Sequence, residues 1–265
     1  MDLKTVKLIN DSPYQAFFAI AGGGQTFIGD FTSISGASNT VVGALVPYSK
    51  NVFDKFIQYS HLDSYASEEA ARKLAVASFN ECLDSGVSRP LAIGVGSANS
   101  IVKDNERVGR EHRFYIAIHT QDTTRVLSVI LKQGRTRQQE ETIASLFIFR
   151  MLADEVLNMT TKYDDYVLAG EYCNLHGVIN TANAALIEGR LSTLLYPHQV
   201  NYHQEHTLPI FCGSWNPFHE GHQQMYDIAH KYFGIKPLLE LSITNTDKGE
   251  LDFIDINRRE KGIES

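Results

Sequence analysis

The stretch Ala16-Phe17-Phe18-Ala19-Ile20-Ala21-Gly22-Gly23-Gly24 decides how the first half of the chain is read. An unbroken apolar run is the pattern of a strand covered on both faces, because a strand with one wet face alternates polar and apolar residues. Three glycines close the run, and a short helix is predicted from Gln25 to about Ser33. Strand, glycine loop and helix in that order can turn backbone N–H groups towards an anion. Gly22, Gly23 and Gly24 are therefore candidate phosphate-binding residues. Glycines also close ordinary strand-to-helix turns, and the sequence leaves both readings open.

Similar strands follow. Thr40-Val41-Val42-Gly43-Ala44-Leu45-Val46 comes after Gly36-Ala37-Ser38 and leads into Pro47-Tyr48-Ser49-Lys50. Leu91-Ala92-Ile93-Gly94-Val95-Gly96-Ser97 is another apolar strand ending in small residues. Between them, Ser67-Glu68-Glu69 is a helix start, with a capping hydroxyl and acids in the first turn. That helix runs through Leu74, Ala75 and Phe79 to Asp84 and stops near Gly86. Phe114 to His119 and Val126 to Leu131 are rich in strand formers, and the polar stretch Thr120 to Thr124 predicts a hairpin between them.

The longest helix is predicted from Gly134-Arg135-Thr136-Arg137 to about Asn158. Thr136 and Gln139 have capping-box spacing, and Ile143, Leu146, Phe149, Ala153 and Val156 form the buried stripe. Basic residues at a helix start oppose the macrodipole, so Arg135 and Arg137 need either solvent or an anion there.

A second informative stretch is Leu208-Pro209-Ile210-Phe211-Cys212-Gly213-Ser214-Trp215-Asn216-Pro217-Phe218-His219-Glu220-Gly221-His222. It reads as a buried strand, a Gly/Asn/Pro turn and the first turn of a helix running to Tyr232. His219 and His222 are three apart and share one face at the helix start. Free N–H groups and a partial positive charge suit that end to phosphate. A further strand is predicted at 236–243.

With 265 residues, 43% of them hydrophobic, the chain can build one large core or two moderate ones. A formal net charge of −7 argues against nucleic acid or an anionic membrane as partner. Three cysteines, Cys82, Cys173 and Cys212, are too few and too scattered for a disulfide framework and suit a reduced compartment. No signal peptide is read at the start, and the run 16–21 is too short to span a membrane. The expected location is the cytoplasm. Histidines are dense at His198, His203, His206, His219, His222 and His230. Their spacing matches no familiar zinc pattern, so no metal site is assigned.

Two family resemblances sharpen these readings. From about Tyr14 to Glu155, the order of features resembles the CinA C-terminal domain, whose active members are nicotinamide-mononucleotide deamidases. The features are Gly36-Ala37-Ser38, the strand ending at Tyr48, the strand end Gly94 to Ser97, and the helix start at Gly134-Arg135. That resemblance implies a three-layer α/β/α domain and nucleotide contacts at Gly22, Gly23, Gly24, Ser38, Tyr48, Ser97, Arg135 and Arg137. The chain departs from the family where its chemistry lies. The family's Glu-Ser-x-Thr-Gly-Gly loop is replaced by Ala19-Ile20-Ala21-Gly22-Gly23-Gly24, so the serine nucleophile is missing. Thr26, Ser38 and Ser97 are the substitutes to test. A lysine usual five positions beyond the tyrosine is Phe53 here, with Lys50 and Lys55 off that spacing.

Gly213-Ser214-Trp215-Asn216-Pro217-Phe218-His219-Glu220-Gly221-His222 resembles the signature of adenylyl- and cytidylyltransferases. This implies a partial Rossmann-like βαβ segment, with His219 and His222 as catalytic residues and Gly213, Ser214 and Asn216 beside the nucleotide. It also implies ATP with Mg²⁺ as co-substrate. The likeness continues through Thr244-Asn245-Thr246-Asp247-Lys248 to about Arg258. The sequence closes at Ser265 before any later Ser-x-x-x-Arg-type motif, so a truncated product is one reading.

The expected organisation is therefore a nucleotide-binding domain over 1–160, a connecting segment over 161–206 and a partial transferase domain over 207–265. The expected function lies in nicotinamide-type nucleotide metabolism, with amide hydrolysis lost and the transferase incomplete. The alternative is a non-catalytic nucleotide-binding or scaffold protein. A half-sheet leaves an edge and an apolar face to cover, so a homo-oligomer, or docking of the C-terminal segment onto the first domain, is expected.

Overall fold

The computed structural model describes residues 1–103, 109–179, 209–245 and 249–264. The chain divides into two compact units, Met1–Ile179 and Asn180–Ser265.

In the first unit the stretch 16–24 forms the expected strand, β1 (Gln15–Ala21). β2 (Val41–Leu45) and β3 (Ala92–Ala98) lie parallel to it on either side. Then β4 (His112–His119), β5 (Thr123–Leu131) and β6 (Tyr172–Ile179) continue the sheet antiparallel. The spatial order is β2-β1-β3-β4-β5-β6. Neighbouring residues of a strand face opposite ways, and this sheet uses both sides. Phe18, Ile20, Ile93, Val95, Ile116 and Leu127 face a core shared with three helices: α1 (Leu3–Asn10), α2 (Thr26–Thr32) and α6 (Arg137–Leu157). On the other face Phe17, Val42 and Ala92 pack against Phe79 and Cys82 of α5 (Glu68–Asp84). The result is a three-layer α/β/α unit.

The α5 side is built on absent side chains. A Cβ on Gly94 would lie 1.9 Å from the Ala75 carbonyl oxygen, and one on Gly96 would lie 2.2 Å from that of Ala71. The helix presents Ala70, Ala71, Ala75 and Ser78 to the sheet, all buried. Small residues on both partners let backbone approach backbone.

Caps fall where the residues predict. Ser67 Oγ accepts from Ala70 N–H at 3.1 Å and starts α5. Thr136 and Gln139 close a reciprocal capping box on α6. Three short helices are additional to the sequence reading: α1, α3 (Ala37–Thr40), which covers the Gly-Ala-Ser stretch, and α4 (Lys50–Ile57), capped by Ser49. The connecting segment expected from 161 is shorter at its start, because β6 within it pairs along β5 from Tyr172 to Ile179. Residues 180–206 of that segment lie outside the described residues, as do His198, His203 and His206.

In the second unit β7 (Ile210–Gly213) and β8 (Leu238–Leu241) are parallel neighbours, with α7 (Glu220–Phe233) between them in sequence. This is the expected βαβ order. The short pair β9 (Thr244–Asn245) and β10 (Gly249–Glu250) and helix α8 (Phe253–Glu264) follow. Asp247 and Lys248 lie outside the described residues. No helix among the described residues is long and apolar enough to cross a membrane.

His119 sits opposite Gly94 in the β3–β4 register, fully enclosed, with Nδ1 2.8 Å from Thr124 Oγ1 and its ring edge-on to Phe79. Burial, with Arg89 adding repulsion, pushes its pKa from 6.5 down to about 3. The folded state therefore holds it neutral. Its contribution is complete above pH 6.5 and is lost as the pH falls towards 3, at about 1.4 kcal/mol per pH unit.

Three substitutions test this unit. Gly94→Ala should cost about 3 kcal/mol in denaturant unfolding. Gly29→Ala, in α2 with nothing within 4 Å of the new methyl, should add about 0.5–1 kcal/mol. A His119→Leu protein should lose about 1.4 kcal/mol less per pH unit than wild type between pH 6 and 4, measured by urea unfolding. Equal slopes would show that His119 does not titrate on unfolding.

Candidate functional site

The carboxyl ends of β1, β2 and β3 open onto one cavity of about 300 Å³. In open α/β sheets this end of parallel strands is where ligands bind. Ala21 and Gly22 follow β1, Pro47 to Lys50 follow β2, and Asn99 to Ile101 follow β3; all line the cavity, together with Phe53, Tyr65, Lys103, Arg110 and Arg137. Gly22 has φ 84°, and a Cβ there would lie 1.9 Å from the Asn99 carbonyl oxygen, so only glycine fits.

Asn99 organises the floor. Its Nδ2 donates to the Gly23 carbonyl at 2.8 Å and to Ser97 Oγ at 2.7 Å, and its Oδ1 accepts from Tyr115 N–H at 3.1 Å. On one wall Lys50 Nζ donates to the Tyr65 hydroxyl, which donates to Asp54 Oδ1, while Lys50 Nζ lies 3.2 Å from Asp54 Oδ2. The Tyr65 hydroxyl, then Asp54, raises the Lys50 pKa, and the Tyr65 hydrogen bond lowers that of Asp54. The ring of three thus holds an ammonium and a carboxylate. Elsewhere in the lining Arg137 Nη1 donates to the Val102 carbonyl at 2.8 Å. Val102 N–H donates to Glu140 Oε2 at 2.8 Å, and Glu140 Oε1 is 2.6 Å from His112 Nδ1 in the interior. The buried His112–Glu140 pair therefore fixes the strap that carries Ile101 and Lys103.

The glycine loop is already occupied. Gly24 N–H donates to Glu141 Oε2 at 2.7 Å and Thr26 N–H to Glu141 Oε1 at 2.9 Å. Ser145 Oγ takes the next N–H, that of Phe27, at 3.1 Å. The donors expected to meet a ligand anion meet a side chain of α6 instead. Only Gly22 of the three glycines reaches the cavity wall.

Of the other expected contacts, Tyr48 and Arg137 line the cavity and Ser38, Ser97 and Arg135 do not. Ser38 is exposed on α3. Ser97 is buried beneath Asn99. Arg135 spends its guanidinium on a two-pronged pair with Glu171. No hydroxyl stands at the nucleophile position: Ile20 is in the core, and Ala21 and Gly22 carry none. Thr26 Oγ1 is tied to Ser145 Oγ at 2.6 Å. Phe53 packs edge-on against Tyr65, while Lys50 reaches the cavity from a different spacing. Lys50 enters the sequence reading only as off the family's spacing, and Tyr65, Asn99, Lys103 and Arg110 do not enter it as site residues. Strand-end position would have revealed Lys50 and Asn99; Tyr65 and Arg110 come from connections with no pattern to read.

In the second unit His219 is the residue before α7, and its backbone N–H donates to His222 Nδ1 at 3.2 Å. The two rings stack with centroids 3.6 Å apart. With Nδ1 accepting, neutral His222 carries its proton on Nε2, which becomes a donor. Burial, then the neighbouring His219, lowers the His222 pKa. Trp215 is buried against this pair, its ring edge-on to His222 at 5.1 Å and its Nε1 donating to the Glu240 carbonyl at 2.9 Å. From α8, Arg259 Nη1 donates to the Ser214 carbonyl at 2.9 Å and Arg258 Nη2 approaches Asn216 Oδ1 at 3.4 Å. Both arginines escaped the sequence reading. Among the described residues no group of three His, Cys, Asp or Glu side chains converges to hold a metal.

No family model and no curated protein matches the chain. Solved structures resemble it remotely. A competence-damaged protein (CinA) superfamily protein from Enterobacter cloacae has TM-score 0.48 and 10% identity, covering 58% of this chain and 89% of its own. One from Klebsiella pneumoniae has TM-score 0.45 and 9% identity, covering 59% and 96%. The competence/damage inducible protein CihA from Agrobacterium tumefaciens has TM-score 0.38 and 16% identity, covering 59% and 93%. Likenesses this remote decide nothing about activity, and the site stands on its own geometry.

Trp215 is the single tryptophan of the chain, so its fluorescence reports the histidine turn. Protonated imidazole quenches indole. The emission should fall on acidification with a midpoint below 6.5, the ordinary histidine value, and His222→Gln should abolish the step. A midpoint above 6.5 would contradict the capping geometry.

Proposed function

We propose that the first unit binds a pyridine mononucleotide of nicotinamide type without hydrolysing it, and that the histidine turn of the second unit grips nucleotide phosphate. One observation carries this reading. In a chain of net charge −7, Lys50, Lys103, Arg110 and Arg137 surround one cavity at the ends of parallel strands. Such a concentration of cations suits a phosphate, as paired or clustered arginines and lysines do elsewhere. Tyr48, exposed at the cavity, offers an aromatic ring to a heterocycle.

Amide hydrolysis needs an activated nucleophile, and the residues at the strand end are Ala21 and Gly22. At the second site His222 Nε2–H, the His219 ring and the N–H groups that open α7 supply donors for phosphate oxygens. ATP with Mg²⁺ is the partner implied there. The metal would arrive as the nucleotide's counter-ion, since no carboxylate set among the described residues receives it.

Calorimetry on the full chain tests both halves. Nicotinamide mononucleotide should bind, and Arg137→Ala should weaken it about tenfold, the loss of one charge-assisted contact of about 1.4 kcal/mol. ATP binding should vanish in His222→Ala while mononucleotide binding persists. No ammonia should be released from the mononucleotide. Ammonia release at a turnover lost on Arg137→Ala would replace binding with catalysis.

A further inference from the structure

Lys50 stands where a helix least favours it. It is the first residue of α4, whose first turn holds no acidic residue, so its charge opposes the macrodipole. Its side chain is 60% exposed, and an exposed lysine without partners spreads over many rotamers.

Three contacts fix the ammonium instead. Nζ donates to the Tyr65 hydroxyl, lies 3.2 Å from Asp54 Oδ2 and stands 4.6 Å from the centre of the Tyr65 ring. Tyr65 is itself held at both ends. Its hydroxyl donates to Asp54 Oδ1, and its ring meets the buried Phe53 edge-on at 5.1 Å. Asp54 lies one turn along α4 and is not among the residues that line the cavity, whereas Lys50 and Tyr65 are. An ammonium has three N–H groups. Tyr65 takes one and Asp54 another, which leaves one for a ligand.

We infer that Tyr65 is a positioning residue, which holds the Lys50 ammonium ready for the phosphate of the mononucleotide and acts through Lys50, not by touching the ligand. This rests on the nucleotide reading above and assigns one of its contacts. Phosphate is the group concerned because it is the only anion of nicotinamide mononucleotide. Immobilising a lysine side chain on binding costs about two- to tenfold in affinity. Tyr65 settles the ammonium before the ligand arrives.

The test is calorimetry of nicotinamide mononucleotide with the full chain as wild type, Tyr65→Phe, Lys50→Gln and the double variant. Tyr65→Phe keeps the ring against Phe53 and removes only the hydroxyl, and its affinity should fall about fivefold. Lys50→Gln should lose about tenfold, and adding Tyr65→Phe to it should lose nothing more. Nicotinamide riboside, which lacks the phosphate, should bind at least tenfold weaker than the mononucleotide and be indifferent to Tyr65→Phe. An undiminished mononucleotide affinity in Tyr65→Phe, or a loss that persists in the Lys50→Gln background, would overturn the positioning role and leave the nucleotide reading standing. A loss of riboside affinity as large as that of the mononucleotide would overturn the phosphate contact. Absence of mononucleotide binding to the wild type would overturn both readings.

Discussion

Everything in the first unit depends on how closely α5 lies against β3. Backbone meets backbone there because Gly94 and Gly96 have no side chains and the helix answers with Ala71 and Ala75. Interiors are packed as densely as organic crystals, so such a contact cannot be relaxed locally. It sets the height of the central strand beneath its helix. Gly22 repeats the device one strand over, lying against the Asn99 backbone at the cavity. The same absence of side chains that seats the helix thus brings two strand ends together.

The two units use charge differently. In the first, cations gather around a space and anions are drawn behind it: Asp54 holds Lys50 through Tyr65, and the His112–Glu140 pair braces the strap beneath Lys103. In the second, neutral groups, the opening of α7 and the Nε2 donor of His222, stand beside two guanidiniums, Arg258 and Arg259, that reach the turn from α8. The first arrangement gathers full charges around a space. The second sets a neutral donor at a helix start.

Strong local patterns were legible in the sequence. The both-sides-buried run at 16–21 and the capping residues Ser67, Thr136 and Gln139 translate directly into β1, α5 and α6. β6 was not legible, because Tyr172-Cys173-Asn174-Leu175-His176-Gly177 is an edge strand that mixes polar and apolar residues, and its partner is β5. Nor was α4, which buries only Phe53 and Ile57. At the site, sequence reading found groups by kind and missed their partners. Arg135 and Arg137 look alike along the chain, yet Glu171 claims the first and the cavity receives the second. Only tertiary placement separates two such arginines.

Glu141 gives the glycine loop an unexpected property. Its carboxylate sits on the N–H groups of Gly24 and Thr26, held there by the helix that carries it. A tethered competitor acts at an effective concentration of millimolar or more. A dissolved phosphate would have to displace this one before touching the loop. The loop therefore behaves as a receptor permanently bound to its own chain, and it fastens α2 to α6 with the same bonds that a nucleotide would otherwise have used.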